Sequence, residues 1–194
     1  MTDEPDRRSP APTGRRSVGL VELPGTAMTA LLDDDLARAS AAAGVALTDY
    51  FLTDRAKWVW RYRLDQLASD PRSAGWLTRA VVAGPEGVVV GYAGFHGPPD
   101  GAGMVEIGYS VAPGHRRQGY ARATLTELMR RAAAEAAVRT VRVTISPGNT
   151  ASLATISGFG FVEVGEQWDE VDGLELVLEV PAARIGRRRD QPPG

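Results

Sequence analysis

Residues 105–121 read Val105-Glu106-Ile107-Gly108-Tyr109-Ser110-Val111-Ala112-Pro113-Gly114-His115-Arg116-Arg117-Gln118-Gly119-Tyr120-Ala121. Period-2 alternation predicts a strand, with Val105, Ile107, Tyr109 and Val111 on one face and Glu106, Gly108 and Ser110 on the other. Pro113 ends it, and an Arg- and Gly-containing loop passes into a helix. Where a strand stops and a helix starts, several backbone N–H groups lack a partner in the chain and converge on one spot. A phosphate there gains their hydrogen bonds and the positive end of the helix dipole. Gly119 lets the backbone come close.

Downstream, Tyr120 to about Ala137 reads as an amphipathic helix with Leu125, Leu128, Met129, Ala132 and Ala136 on its apolar stripe. Val141, Val143 and Ile145 then alternate with Arg142 and Thr144 as a strand, which Pro147-Gly148 ends. Asn149 is a good cap for a short helix. Asp172-Gly173 marks a closing hairpin, with Leu174, Leu176, Leu178 and Val180 alternating after it. Upstream, Val18 to Leu23 reads as a strand, and Ala27 to Ala43 and Asp49 to Leu67 as helical patterns. Leu77 to Val82 and Val88 to Phe95 are two strands joined by Gly84-Pro85-Glu86-Gly87, and a loop from Gly97 to Gly103 follows. The expected fold class is α/β (α+β), a mixed sheet with helices on both faces.

With 194 residues and 43% hydrophobic content, one domain over residues 17–185 is expected, between disordered tails at 1–16 and 186–194. The absence of cysteine excludes disulfides, thiolate metal sites and a cysteine nucleophile, and two histidines build no zinc site. A net charge of −2 with mixed signs argues against a nucleic-acid surface. Arg187-Arg188-Arg189 reads as part of a solvated tail. Arg15-Arg16-Ser17 superficially resembles a twin-arginine export start, but Glu22 and Pro24 interrupt the apolar run that such a signal needs. No segment reaches the roughly 20 apolar residues that span a bilayer. The expected location is the cytoplasm, with no membrane partner, no metal and a monomeric or homodimeric state.

The loop Arg116-Arg117-Gln118-Gly119-Tyr120-Ala121 resembles the Arg/Gln-x-x-Gly-x-Gly/Ala signature of the GCN5-related N-acetyltransferase (GNAT) superfamily. Ile107 to Pro113 is similar to the strand before that loop in the branch acting on ribosomal-protein N-termini and small amines. A second block, Asn149 to Phe161, is similar to the family's Asn-x-x-Ser run ending in Gly-Phe. The resemblance covers roughly residues 18 to 181. It implies a mostly antiparallel sheet of about seven strands and transfer of an acetyl group from acetyl-CoA to a primary amine, either a protein N-terminus or a small molecule. The transfer would be a direct attack in a ternary complex. The alternative is a non-catalytic acyl-CoA-binding module.

By the same resemblance, the backbone of Arg117, Gln118, Gly119, Tyr120, Ala121 and Arg122 would hold the pyrophosphate, with Arg116 and Arg117 as charge partners. The strand before the loop would be splayed from its neighbour, and the Val111 amide would face the developing oxyanion. Glu106 would take the amine proton; the competing role is a buried pair with an arginine, or orienting substrate only. Gly108 is expected to leave space beside it. Ser152 would sit near the cofactor sulfur, and Asn149 would orient it or contact pantetheine; helix capping is the structural alternative for both. Two departures stand out: Ile156 where many relatives carry a tyrosine, and Gly158 where a basic residue is common. An acceptor pocket is expected between the early helices and the final hairpin, where Tyr50, Phe51, Trp58, Trp60, Tyr62 and Trp168 are either lining or core. His96 and His115 read as exposed, His115 being within reach of the loop.

Overall fold

The computed structural model describes residues 16–185. Residues 1–15 and 186–194, which hold nearly all of both expected tails and the Arg187–Arg189 run, lie outside the described residues. Within the described residues, seven strands form one sheet: β1 Val18–Glu22, β2 Arg79–Ala83, β3 Val88–Phe95, β4 Met104–Val111, β5 Thr140–Ile145, β6 Val162–Asp169 and β7 Gly173–Pro181. Their order is β1-β2-β3-β4-β5-β7-β6, and every pairing is antiparallel except β4 with β5. Among the described residues, five α-helices accompany it: α1 Gly25–Leu32, α2 Leu36–Ala43, α3 Asp54–Ser69, α4 Tyr120–Ala134 and α5 Thr150–Ile156.

The sheet is packed on both faces. On one, Val81, Val90, Ala93, Val105, Ile107, Val141 and Val143 meet Leu125, Leu128 and Met129 of α4. On the other, Tyr92 and Ala80 meet Met28 and Leu31 of α1, Phe51, and Trp60 of α3. Phe51 and Trp60 are fully buried, with ring centroids 5.8 Å apart. Burial of each such side chain contributes about 1.5–3 kcal/mol, and of the two roles open to these aromatics, lining or core, both take the second.

The apolar periodicity from Ala27 to Ala43 predicts one helix, and the structure has two. Asp33-Asp34-Asp35 interrupts it, with Asp34 at φ 59° and the Asp35 carboxylate accepting from the Arg38 N–H at 2.9 Å as the cap of α2. Short acidic side chains compete with a helix interior and favour its start. Asp49–Leu52 is a 3₁₀ turn, so α3 begins at Asp54. Likewise α4 stops at Ala134, which leaves Ala136 of the expected stripe exposed.

One irregularity decides where a site can form. β4 pairs with β5 only over Met104–Glu106 against Thr140–Arg142. From Ile107 onward the two strands part.

Candidate active site

The split between β4 and β5 leads directly to the β4–α4 loop. Pro113–His115 makes a single 3₁₀ turn, Arg116 is extended, Arg117 is left-handed at φ 56°, and Gly119 is left-handed at φ 85° as the N-cap of α4. Nothing lies within 4 Å of a Cβ built on Gly119, so its backbone angle, and not crowding, is what asks for glycine. Among the described residues, no backbone N–H from Arg117 to Arg122 donates to another group of the chain; the first α4 bond runs from Ala123 N–H to the Gly119 carbonyl. Six donors at a helix N-terminus, flanked by exposed arginines, form a donor set suited to a phosphate anion.

The side chains of this loop divide their work. Arg116 Nε donates to the Val111 carbonyl at 3.0 Å and Gln118 Nε2 to the Gly114 carbonyl at 2.9 Å, so both brace the loop. Arg117 is exposed and makes no ion pair among the described residues. Tyr120 Oη accepts from Arg16 at 2.7 Å. Arg122 turns to α5, donating to the Ser157 carbonyl at 3.0 Å while its guanidinium lies 4.7 Å from the Phe159 ring centroid. It also covers Gly158, where a Cβ would meet Nη2 at 3.5 Å.

Register settles which way the β4 backbone points. His96 N–H donates to the Glu106 carbonyl and Ala112 N–H to the Val90 carbonyl. Residues 106, 108, 110 and 112 therefore bond toward β3, and Ile107, Tyr109 and Val111 present their N–H and C=O groups to the opposite side. That side is the split, and the Val111 amide faces it.

On the sheet face that carries Tyr92, Glu106 is 17% exposed; its Oε1 accepts from Thr144 Oγ1 at 2.7 Å and lies 3.4 Å from His96 Nδ1. Among the described residues it makes no ion pair with an arginine: neighbouring Arg142 pairs with Glu179 at 2.6 Å. The room beside Gly108 is filled, because a Cβ there would sit 2.8 Å from His96 Nε2. Gly108 thus accommodates an imidazole, a correction to the open space expected. Desolvation holds His96 below the ordinary histidine range, opposed by Glu106 and reinforced by Arg63. Buried Arg63 is itself lowered by desolvation, and it donates to the His96 carbonyl at 3.0 Å.

Ser110, two residues beyond Gly108 on the same face, bonds to Tyr50 Oη at 2.5 Å. Tyr50 stacks on Tyr92, whose hydroxyl is pushed up to about 12, mainly by burial. Glu175 of β7 is buried, accepts from Gln167 at 3.1 Å, and is raised by desolvation, with Asp169, Asp172 and Glu106 adding. Arg55 of α3 reaches Asp172 at 2.6 Å and so ties the early helices to the β6–β7 hairpin. Trp58 and Tyr62 stack on each other half-exposed, and Trp168 is 77% exposed.

Across the split, Asn149 caps α5, its Oδ1 accepting from the Ser152 N–H at 3.1 Å. The capping role is thus realised, and the half-buried Ser152 hydroxyl remains available. Ile156 is buried, so this position supplies no proton donor. Residue types alone did not single out Thr144 or Glu175, and they gave His96 and Tyr50 no part beside β4. For His96 and Thr144 the signal was present as alternation, since Tyr92 and His96 share parity on β3, as Arg142 and Thr144 do on β5. No described helix is long and apolar enough to cross a membrane.

The chain has relatives in sequence and in fold. Residues 29–162 match the family model for the acetyltransferase (GNAT) domain. An uncharacterized N-acetyltransferase of Bacillus subtilis (strain 168), YjdG, is 34% identical over 74 residues, 38% of this chain and 44% of that protein. The chain therefore spans under half the length of the curated relative it matches. Among solved structures, Mycobacterium smegmatis RimJ in complex with CoA-disulfide has a TM-score of 0.60 at 20% identity, covering 90% of this chain and 88% of that one. The dodecameric spermidine N-acetyltransferase of Vibrio cholerae gives 0.61 at 12%, covering 90% and 99%. These two likenesses are of fold. The family model covers well over half of the sequence, and with the split sheet and open loop in place, the chain belongs to the GNAT acetyltransferase family.

Proposed function

We propose that this chain, as one domain over residues 17–185, moves an acetyl group from acetyl-CoA to a primary amine, a protein N-terminus or a small molecule, by direct attack in a ternary complex. The observation that carries the reading is a continuous run of chain through two features. Glu106 stands on β4 where it leaves β5, and the same strand leads through the Pro113–His115 turn to the free N–H groups of Arg117–Arg122 in the loop and the first turn of α4. Spermidine N-acetyltransferase, by its name, acts on a small-molecule amine, and the RimJ structure holds a CoA-disulfide.

The loop backbone, with Arg117 and the outer nitrogens of Arg116, holds the diphosphate. Bound there, acetyl-CoA supplies an activated carbonyl carbon. The Val111 N–H faces the split and stabilises negative charge on that carbonyl's oxygen. Glu106 takes the ammonium proton and leaves the nitrogen lone pair free. On the other side Ser152 Oγ–H, oriented by the Asn149 cap, would give its proton to the departing sulfur, and the second proton shed by the acceptor nitrogen would replace it.

Calorimetry with acetyl-CoA and thiol release with a panel of spermidine, tyramine and a short peptide with a free N-terminus test this. Submillimolar binding and turnover of a panel amine are expected, with Glu106→Gln losing about 100-fold in kcat while still binding acetyl-CoA. Binding with no thiol release from any amine would favour the non-catalytic module instead, and no binding at millimolar acetyl-CoA would overturn both.

A further inference from the structure

We propose that His96 relays to solvent the proton that Glu106 takes from the acceptor amine. The inference rests on the reading of Glu106 as the base and adds the path by which that base is reset.

Glu106 lies inward at 17% side-chain exposure, and the His96 ring beside it reaches water at 46%. Thr144 Oγ1 fixes one carboxylate oxygen, while Oε2 makes no hydrogen bond within the described chain and is left for the amine. The ring is held at its backbone from two sides: His96 N–H donates to the Glu106 carbonyl at 2.8 Å, and its carbonyl accepts from Arg63 Nη1 at 3.0 Å and Gln66 Nε2 at 2.7 Å. Gly108 provides the floor for the ring. A surface histidine with no task needs neither this anchoring nor a glycine opposite it.

The step balances without a further reactant. An N–H bond of the ammonium breaks as an O–H bond forms on the Glu106 carboxylate. A half-turn of the neutral carboxyl group about its Cγ–Cδ bond exchanges its two oxygens, Thr144 bonding the one brought to its side, and the O–H then breaks as Nδ1–H forms across the 3.4 Å gap, which a small ring rotation closes. The imidazolium loses its Nε2 proton to water and regains its starting tautomer by exchange with solvent. A neutral imidazole is needed to accept. The charged groups that face the ring are Arg63 from α3 and Glu106 from β4; beyond Glu106 stand its register partner Arg142 of β5, paired with Glu179 of β7, and Glu175 of β7. Packing and Arg63 keep the ring neutral near pH 7, against the pull of Glu106.

The chain has two histidines, so imidazole ¹⁵N resonances of the full-length protein are assignable with a His115→Gln control. The His96 midpoint should move to lower pH in Glu106→Gln, because a negative charge has been removed; an unmoved midpoint overturns the relay. With the panel amine used most rapidly, His96→Asn should lower kcat about tenfold or more and leave the acetyl-CoA KM unchanged. The acid limb of the kcat profile should disappear, and added imidazole should restore part of the rate of His96→Gly. Wild-type kcat and pH profile in a folded His96→Asn, beside an impaired Glu106→Gln, sink the relay alone. Full activity in Glu106→Gln sinks the base reading with it.

Discussion

Nε2 of His96 lies against the Gly108 α-carbon, so that a methyl group added at residue 108 would stand 2.8 Å from it. The obstructing atom belongs to the tip of a half-exposed ring, which can swing toward water. Gly108→Ala is therefore expected to change Tm by less than about 3 °C while separating His96 from Glu106. Thermal melts and the His96 imidazole shifts check this; a lost His96–Glu106 coupling with an intact melt is the expected pair of results.

Arg117 and Gly119 occupy left-handed backbone in the same loop, at φ 56° and 85°. Arg117→Gly keeps that conformation and removes a charge, so acetyl-CoA Kd should rise about threefold to tenfold at low salt, and less at high salt, with little change in Tm. In contrast, Gly119→Ala imposes about 1–2 kcal/mol of backbone strain and should weaken binding at both salt concentrations. Calorimetry at two ionic strengths separates the charge effect from the conformational one.

Arg122 joins the start of α4 to the end of α5 through two carbonyls, Thr155 and Ser157, and the Phe159 ring. Arg122→Ala should cost about 1 kcal/mol, a Tm drop of about 2–4 °C. The same change should loosen α5, which carries Asn149 and Ser152. Arg122→Lys keeps the charge but not the fork, and is expected to recover less than half of the loss in a thermal melt.

Glu175 gives a pH signature. Desolvation holds its folded-state pKa above the ordinary glutamate value, with the Gln167 hydrogen bond opposing and Asp169, Asp172 and Glu106 adding. Between the unfolded value and that raised value, the folded chain binds more protons than the unfolded chain. Its contribution to stability is thus lost as pH rises through the window. Glu175→Gln should raise Tm by about 1–3 °C at pH 7, with the advantage vanishing as the buffer approaches pH 4. An equal gain at both pH values would contradict the burial argument.

Much of the fold was legible because its signals are local. The β4 alternation, the stop at Pro113, the left-handed Gly119 and the Asp172-Gly173 turn depend on sterics and hydrogen bonds within a few residues. Six of the seven strands lie where the sequence reading places them, to within two or three residues at their ends, and β6 is the first arm of the expected closing hairpin, for which that reading sets no bounds. The Asp33–Asp35 break was missed because apolar spacing continues across it, while the left-handed turn at Asp34 lies outside that periodicity.

The site divides along the same line. Backbone donors of Arg117–Arg122 belong to one turn of chain, so sequence alone located them. That Glu106 meets His96 and Thr144 and not an arginine is a matter of register between strands ten and nearly forty residues apart. The burial of Glu175 and the parting of β4 from β5 likewise come from packing of the whole sheet. Such contacts are decided by which distant segments pair and how they twist, and a linear pattern of residue types carries no measure of either.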